Sequence, residues 1–204
     1  AVSQSGETAD TLAALREAKR RGARVMAVCN VVGSTLAREA GERGTLYTYA
    51  GPEIAVATTK AYSAQLAIMY VLAIALAEAK GKLSEQDLNY YIQELLALPE
   101  KIERVLENKE RIQWFASKYS NARDVFFIGR GLDYAISMEG SLKMKEISYI
   151  HSEAYAAGEL KHGTISLIEK GLLVIGVLTQ EGLLEKTISN MEECRARGAY
   201  LMGV

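Results

Sequence analysis

Short, wholly apolar segments alternate with segments of helical periodicity at both ends of the chain, and this alternation constrains the fold most. The segments 23–29 and 172–178 are apolar almost throughout, as strands are when helices cover both faces of a parallel sheet. The composition, 49% hydrophobic and 24% charged, is sufficient for a buried core. The pattern therefore predicts an α/β fold with parallel sheets.

The predicted elements form two α/β regions that a helical middle separates. We predict helices over 9–21, 32–40, 58–80, 84–97, 99–119, 134–149 and 183–197. We predict strands over 1–2, 23–29, 45–49, 125–128, 172–178 and 199–204, with 151–163 as a connection. The apolar run 66–77 is too short to span a bilayer and is typical of a buried helix. The division predicts two subdomains, 1–98 and 99–204.

An internal repeat relates the two regions. When the chain is aligned on itself so that Gln4 meets Gln180, the segment Arg21-Gly22-Ala23 meets Arg197-Gly198-Ala199 without a gap. The repeat predicts one α/β unit that is used twice. Each copy lacks a part that the other has, so we expect the chain to be an excerpt of a longer protein.

A hydroxyl-rich turn, Ser3-Gln4-Ser5-Gly6-Glu7-Thr8, joins the first strand to the first helix. Free N–H groups at a helix start and nearby hydroxyls favour a bound phosphate, although Ser and Thr are also ordinary helix caps. The second copy has Thr179, Glu181 and Leu184 where the first has Ser3, Ser5 and Thr8. Both helices need caps, so this asymmetry favours phosphate binding in the first copy alone.

Three charged residues, Glu139, Lys143 and Glu146, share one face of a predicted helix. Such a ladder is often only a solvated surface feature. Its apolar flanks favour a partly enclosed site, where a carboxylate beside a lysine can move protons. The two histidines, His151 and His162, follow at once, and either could exchange protons with a sugar hydroxyl or simply pack or cap.

Several classes of function are not favoured. The net charge of −1 gives no reason to expect nucleic acid or a membrane as a partner. The turn Gly129-Arg130-Gly131 lacks the third glycine and the acidic residue of a dinucleotide site, which argues against NAD. Cys29 and Cys194 lack metal-ligand spacing, and two cysteines suit a reducing cytoplasm. We expect no metal and no other cofactor.

Three segments, SQSGETADT, AVATTKAYSAQL and MEGSLKMKEISYIHSEAYAAGELKHG, resemble the isomerase domain of the isomerising glutamine–fructose-6-phosphate aminotransferases. The resemblance covers nearly the whole chain. It implies the sugar isomerase (SIS) fold, which has two flavodoxin-like parallel-sheet subdomains flanked by helices. The implied activity is the isomerase half of an amidotransferase, which makes glucosamine 6-phosphate from fructose 6-phosphate and glutamine-derived ammonia.

The resemblance also implies roles for single residues. Ser3, Gln4, Ser5 and Thr8 would hold the phosphate, and Thr58, where the family usually has serine, would contact the sugar. Glu146 would move a proton between C1 and C2, Lys143 would assist with charge at the sugar, and His162 would open the sugar ring from a partner subunit.

The implied partners are a sugar phosphate, a glutaminase domain on the same parent chain and a second copy in a homodimer. The family's glutaminase domain, its serine-bearing turn and its imine-forming lysine are not in this sequence, so we expect this stretch alone to be inactive. Two alternatives stay open. One is a non-catalytic SIS module that senses a sugar phosphate, and the other is a related sugar-phosphate deaminase or isomerase that uses no glutamine.

Overall fold

The structure is a computed structural model that describes all 204 residues. It separates into two compact units, Ala1–Leu106 and Glu107–Val204. We expected the boundary after residue 98, and the structure instead leaves the helix Leu98–Leu106 in the first unit.

The first unit contains a parallel sheet with the strand order β1-β2-β3. Its strands are β1 (Val2–Ser3), β2 (Ala27–Cys29) and β3 (Thr45–Tyr47). Its helices are α1 (Ala9–Arg20), α2 (Thr35–Ala40), α3 (Lys60–Ala79), α4 (Glu85–Leu96) and α5 (Leu98–Leu106). Ser3 pairs with Cys29 and Cys29 with Tyr47, so the three strands end at the same edge of the sheet.

The core of the first unit lies between α1, α2 and β2. Leu12 and Leu15 of α1 pack with Cys29 of β2 and with Leu36 of α2. The strand predicted from residue 23 forms only at Ala27–Cys29, where β1 and β3 supply pairing partners on both sides. The core therefore fixes the start of α1 at the carboxyl edge of the sheet.

Helix α3 differs from the expected buried helix, because Ala61 is its single buried residue. Its main packing partner in the unit is α4, and apolar side chains such as Tyr70, Val71 and Leu76 remain exposed. By length and composition alone, α3 could cross a membrane, and a single helix of this kind is weak evidence for a membrane protein.

The second unit contains a parallel sheet with the strand order β5-β4-β6-β7. Its strands are β4 (Asp124–Gly129), β5 (His151–Ala156), β6 (Leu173–Gly176) and β7 (Tyr200–Gly203). Its helices are α6 (Lys109–Tyr119), α7 (Leu132–Ser148) and α8 (Leu184–Ala196). Phe126 packs with α8 on one face of the sheet and Phe127 packs with Met144 of α7 on the other. Helices therefore cover both faces, as the apolar strands predicted.

Two local predictions in the second half were wrong. Residues 151–156, which we predicted as part of a connection, form strand β5. This strand lies at the edge of the sheet and pairs only with β4. An edge strand tolerates polar residues, and the sequence HSEAYA therefore lacks the apolar run that indicated the other strands. The helix predicted over 99–119 is divided at Glu107 and Asn108 into α5 and α6.

The structure supports the internal repeat at helices α1 and α8. On the alignment of Gln4 with Gln180, Ala9 falls on Glu185 and Arg20 falls on Ala196. These positions bound α1 in the first copy and agree with the bounds of α8 within one residue. Each helix follows a turn at the carboxyl edge of its own sheet, so the two turns can be compared directly.

Candidate functional site

The turn between β1 and α1 is closed by the hydroxyl of Ser3. Ser3 is buried, and its Oγ accepts a hydrogen bond from the Gly6 N–H at 3.1 Å and shares another with Thr8 Oγ1 at 3.0 Å. Ser5 Oγ accepts from the Glu7 N–H at 3.2 Å. The structure thus brings Ser3, Ser5 and Thr8 together in one turn.

Helix α1 begins without a side-chain cap. Thr8 occupies the N-cap position, but its hydroxyl bonds to Ser3 and not to the backbone of the first turn. The first backbone N–H groups of a helix have no partner within the helix, and they carry the positive end of its dipole. The turn therefore presents unpartnered donors and hydroxyls to an anion.

Gly6 fixes the shape of this turn. Its φ of +69° favours glycine, and a Cβ added there would lie 2.1 Å from Ser34 Oγ. The Gly6 carbonyl accepts from the Leu36 N–H at 2.9 Å. Glu7 Oε1 accepts from the Thr35 N–H at 2.7 Å, and this bond holds the pKa of Glu7 below its ordinary value. The turn is thereby anchored to the start of α2.

Gln4 and Thr58 lie in different surroundings. The Gln4 carbonyl accepts from the Asn30 N–H at 3.0 Å, and Asn30 Oδ1 in turn accepts from the Ala50 N–H at 2.9 Å. Thr58 lies half-buried in the segment before α3, and no hydrogen bond joins it to the turn. Asn30, which we did not predict, connects the segments that follow β1 and β3.

In the second unit, helix α7 brings Lys143 and Glu146 together. Lys143 Nζ donates to Glu146 Oε2 and lies 3.5 Å from Glu139 Oε1. Burial acts most strongly on the lysine and opposes its charge, but the two carboxylates outweigh burial and raise the pKa of Lys143 above its ordinary value. The ammonium is thus stabilised next to a carboxylate that could act as a base.

The histidines occupy different positions. His162 lies exposed in a short 3-10 helix, Leu160–His162, and no hydrogen bond or ion pair joins its ring to Lys143 or Glu146. His151 lies at the start of β5, where its Nδ1 is 2.6 Å from Asp124 Oδ1 of β4. His151 therefore has a partner in the neighbouring strand, whereas the His162 ring is exposed to solvent.

The second copy fills its own turn with a carboxylate. Buried Asp133, in the first turn of α7, accepts from the N–H groups of Thr179 at 3.1 Å and Gln180 at 3.4 Å, and from the Thr179 hydroxyl. Thr179 and Gln180 are the counterparts of Ser3 and Gln4 in the repeat. Sequence reasoning missed Asp133, and the available signal was an aspartate just after the turn Gly129-Arg130-Gly131.

Arg130 completes the closed second turn. Its Nη2 donates to Asn190 Oδ1 at 2.8 Å, and its carbonyl accepts from Gln180 Nε2 at 2.6 Å. Gly158 leaves room for the guanidinium, because a Cβ there would lie 3.0 Å from Nη2. The side chains of Gln180 and Asn190 therefore bond to Arg130 at the glycine turn.

The sequence profile of the SIS domain family matches residues 1–75 and 118–204. The chain belongs to the SIS domain family. This SIS chain is 60% identical over 201 residues to glutamine–fructose-6-phosphate aminotransferase (isomerizing) from Caldanaerobacter subterraneus, an alignment that covers 98% of the chain and 33% of that protein. It thus spans about a third of the length of the curated relatives that it matches.

Solved structures agree with the family assignment. The SIS chain matches the C-terminal domain of glucosamine-fructose-6-phosphate aminotransferase from Francisella tularensis with a TM-score of 0.95 and 41% identity, over 99% of this chain and 57% of that one. It matches glucosamine-6-phosphate deaminase from Thermotoga maritima with a TM-score of 0.77 and 26% identity, over 100% and 59% of the two chains. These matches confirm the resemblance and the fold expected from the sequence.

Proposed function

We propose that this SIS chain is the isomerase part of an amidotransferase that makes glucosamine 6-phosphate from fructose 6-phosphate and glutamine-derived ammonia. The observation that carries the proposal is the contact between the Lys143 ammonium and the Glu146 carboxylate on α7. A module that only senses a sugar phosphate needs a phosphate turn but no such pair. The names of the 60% identical relatives support the same reaction.

The substrate phosphate binds at the turn that precedes α1. Ser3, Ser5 and Thr8 supply hydroxyls, and Gln4 and the start of α1 supply backbone N–H groups. Hydrogen bonds to a charged group contribute about 1.5–3 kcal/mol each, so a few of them hold the phosphate firmly. Thr58 contacts the sugar from the segment before α3.

Glu146 moves the proton that converts a ketose into an aldose. Ammonia first replaces the C2 oxygen as water leaves, which gives a C2=N imine. The Glu146 carboxylate takes a proton from C1, the C–H electrons form a C1=C2 bond, and the C2=N electron pair moves to nitrogen. Glu146 then returns the proton to C2 while the C1 hydroxyl proton is transferred to the nitrogen, which gives the C1 aldehyde and the C2 amine. Lys143 stabilises the charge that develops on the sugar.

The remaining parts of the proposal concern partners. His162 opens the sugar ring in the site of a second copy, which agrees with its exposed imidazole and with a homodimer. The glutaminase domain that releases ammonia belongs to the same parent chain. The enzyme acts in the cytoplasm, away from membranes and nucleic acid, and uses no cofactor.

The experiment is Glu146→Gln in the full-length parent protein. The variant should make no glucosamine 6-phosphate and should bind fructose 6-phosphate within about threefold of wild type, because the phosphate turn is untouched. Lys145→Gln, on the same helix and outside every ion pair, is the control and should keep its activity.

Three results would contradict the proposal. An equal loss of binding in Glu146→Gln would remove Glu146 as the base. A wild-type protein that binds the sugar phosphate without making product would be a sensor. A wild-type protein that releases ammonia from glucosamine 6-phosphate and ignores glutamine would be a deaminase.

A further inference from the structure

Glu139 is an acidic residue beside the proposed catalytic pair that the proposed reaction does not use. It precedes Lys143 by one turn of α7, and Glu146 follows Lys143 by one turn. Lys143 Nζ lies 3.5 Å from Glu139 Oε1 and contacts Glu146 Oε2. One ammonium is therefore held between two carboxylates on the same face of the helix.

This group is more enclosed than the other helical ion pairs of the chain. The side chains of Lys143, Glu139 and Glu146 are 18%, 22% and 33% exposed. In the Arg195–Glu192 pair of α8, the exposed fractions are 68% and 55%. Exposed pairs contribute little because water screens them, whereas charges that are partly removed from water interact more strongly. The enclosed group can therefore affect the charge of its members.

The proposed proton transfer changes the net charge of the group formed by Glu139, Lys143 and Glu146. When Glu146 takes a proton it becomes neutral, and it then no longer offers the ammonium an opposite charge. Burial favours the neutral form of Lys143 at that moment. Glu139 is the remaining carboxylate in contact with Lys143, so it is then the group that still favours the charged form of the ammonium and holds it in place.

We infer that Glu139 is a positioning residue, which holds Lys143 charged and in place while Glu146 carries the substrate proton. The inference rests on the proposed function for the step that it serves. Its structural basis is the contact between Glu139 and Lys143.

The other ionisable groups on α7 and on the elements packed against it form no ion pair with Lys143. In β4 and β5, Asp124 pairs with His151, and Glu153 accepts from the Tyr155 hydroxyl. Lys118 of α6 lies over the rings of Trp114 and Tyr119. On α7 itself, Asp133 bonds to Thr179, and Lys145 forms no ion pair. The charge of Lys143 is therefore governed by Glu139 and Glu146.

The experiment compares Glu139→Gln with wild type in the full-length parent protein, with kcat, KM and their pH dependence as readouts. The neutral amide removes one of the causes that raise the pKa of Lys143. In the pH profile of kcat, the decrease on the alkaline side (the alkaline limb) should therefore move to lower pH. We expect kcat to fall roughly tenfold at neutral pH, and KM for fructose 6-phosphate to stay within about twofold. Glu139→Asp, which keeps the charge, should restore the limb.

Glu192→Gln is the matched control, because it removes a carboxylate one turn from a cation in an exposed pair. It should leave kcat and both limbs unchanged. A fall in kcat without movement of the alkaline limb, or failure of Glu139→Asp to restore it, would reduce Glu139 to a packing role and overturn the inference.

A second readout separates this inference from the proposed function. The titration of the Lys143 ammonium, followed by ¹³C NMR of labelled lysine and assigned with Lys143→Gln, needs no catalysis. Glu139→Gln should lower its midpoint. If the wild-type protein makes no glucosamine 6-phosphate, the proposed function fails. If the titration midpoint of Lys143 is the same in Glu139→Gln as in wild type, the inference about Glu139 fails.

Discussion

The carboxylate of Asp133 binds Thr179 twice, through the backbone N–H at 3.1 Å and through the side-chain hydroxyl. Thr179 occupies the position in the second copy that Ser3 occupies in the first. The second copy thus contains an internal anion where the first copy presents unpartnered donors. The turn at Ser3 is therefore open to an external anion, and the corresponding turn at Thr179 is closed by Asp133.

Asp133→Asn should loosen the closed turn. The carboxylate is buried and accepts from two backbone N–H groups and one hydroxyl, and an amide places a donor against those donors. Loss of such bonds costs about 2–4 kcal/mol, so the amides of Thr179 and Gln180 should exchange hydrogen roughly 30-fold faster or more. Hydrogen exchange with mass spectrometry measures this. Asp10→Asn, at an exposed first-turn position of α1, is the control, and equal exchange in both variants would refute the role of Asp133.

Gly6→Ala should weaken the proposed phosphate binding. The added Cβ would lie 2.1 Å from Ser34 Oγ, and φ is +69°, so the turn cannot keep its shape. We expect the affinity for fructose 6-phosphate to fall at least tenfold, as measured by calorimetry on the parent protein. Gly33→Ala also has positive φ, at +72°, but its Cβ would meet nothing within 4 Å. Similar losses in the two variants would show that the contact with Ser34 is unimportant.

Gly140→Ala should move α7 away from its sheet. The added Cβ would lie 2.9 Å from Cε1 of Phe127, which belongs to the core beneath α7. Overpacking of this kind costs about 1–3 kcal/mol, and the melting temperature should fall by a few degrees, on the order of 2–8 °C. Gly182→Ala adds a Cβ with nothing within 4 Å and should leave the melting temperature nearly unchanged. An unchanged melting temperature in Gly140→Ala would mean that the helix adjusts freely.

Cys194 should resist alkylation well above neutral pH. Burial, followed by the charge of Glu193, raises the pKa of the Cys194 thiol from 9.0 to about 11. The thiolate is the reactive form, so reaction with iodoacetamide should stay slow until the pH approaches about 11. Between 9.0 and about 11 the unfolded chain releases a proton that the folded chain keeps, so stability falls as pH rises through this window.

The measurement for Cys194 is peptide mass spectrometry after alkylation between pH 7 and pH 10. The same protein unfolded in urea provides the reference. Equal rates in the folded and unfolded forms at pH 8 would contradict the predicted protection.

Local patterns predicted the elements whose formation depends on neighbouring residues. The helix predicted over 84–97 forms as α4, and Ser84 caps it by accepting from the Asp87 N–H. The positions of Lys143 and Glu146 on one face of α7 followed from helical spacing alone. The hydroxyl-rich turn was also visible, because its members lie within six consecutive residues.

The features that were missed depend on distant partners. Strand β5 forms because β4 pairs with it, and its own sequence has no apolar run. Asp133 meets Thr179 across 46 positions of the chain, a contact that no spacing rule indicates. The exposure of α3 likewise depends on which surfaces cover it, and its apolar sequence could not distinguish a buried helix from an exposed one.

The closed turn has a consequence for the local stability of the two copies of the repeat. Local opening of the backbone differs from one part of a protein to another, and backbone N–H groups that keep a hydrogen-bond partner are the better protected ones. Asp133 belongs to the same chain, so the turn at Thr179 has its hydrogen-bond acceptor without any ligand. The N–H groups at the start of α1 have no side-chain partner of this kind, so under the proposed function the turn at Ser3, and not the turn at Thr179, gains hydrogen bonds when a sugar phosphate binds.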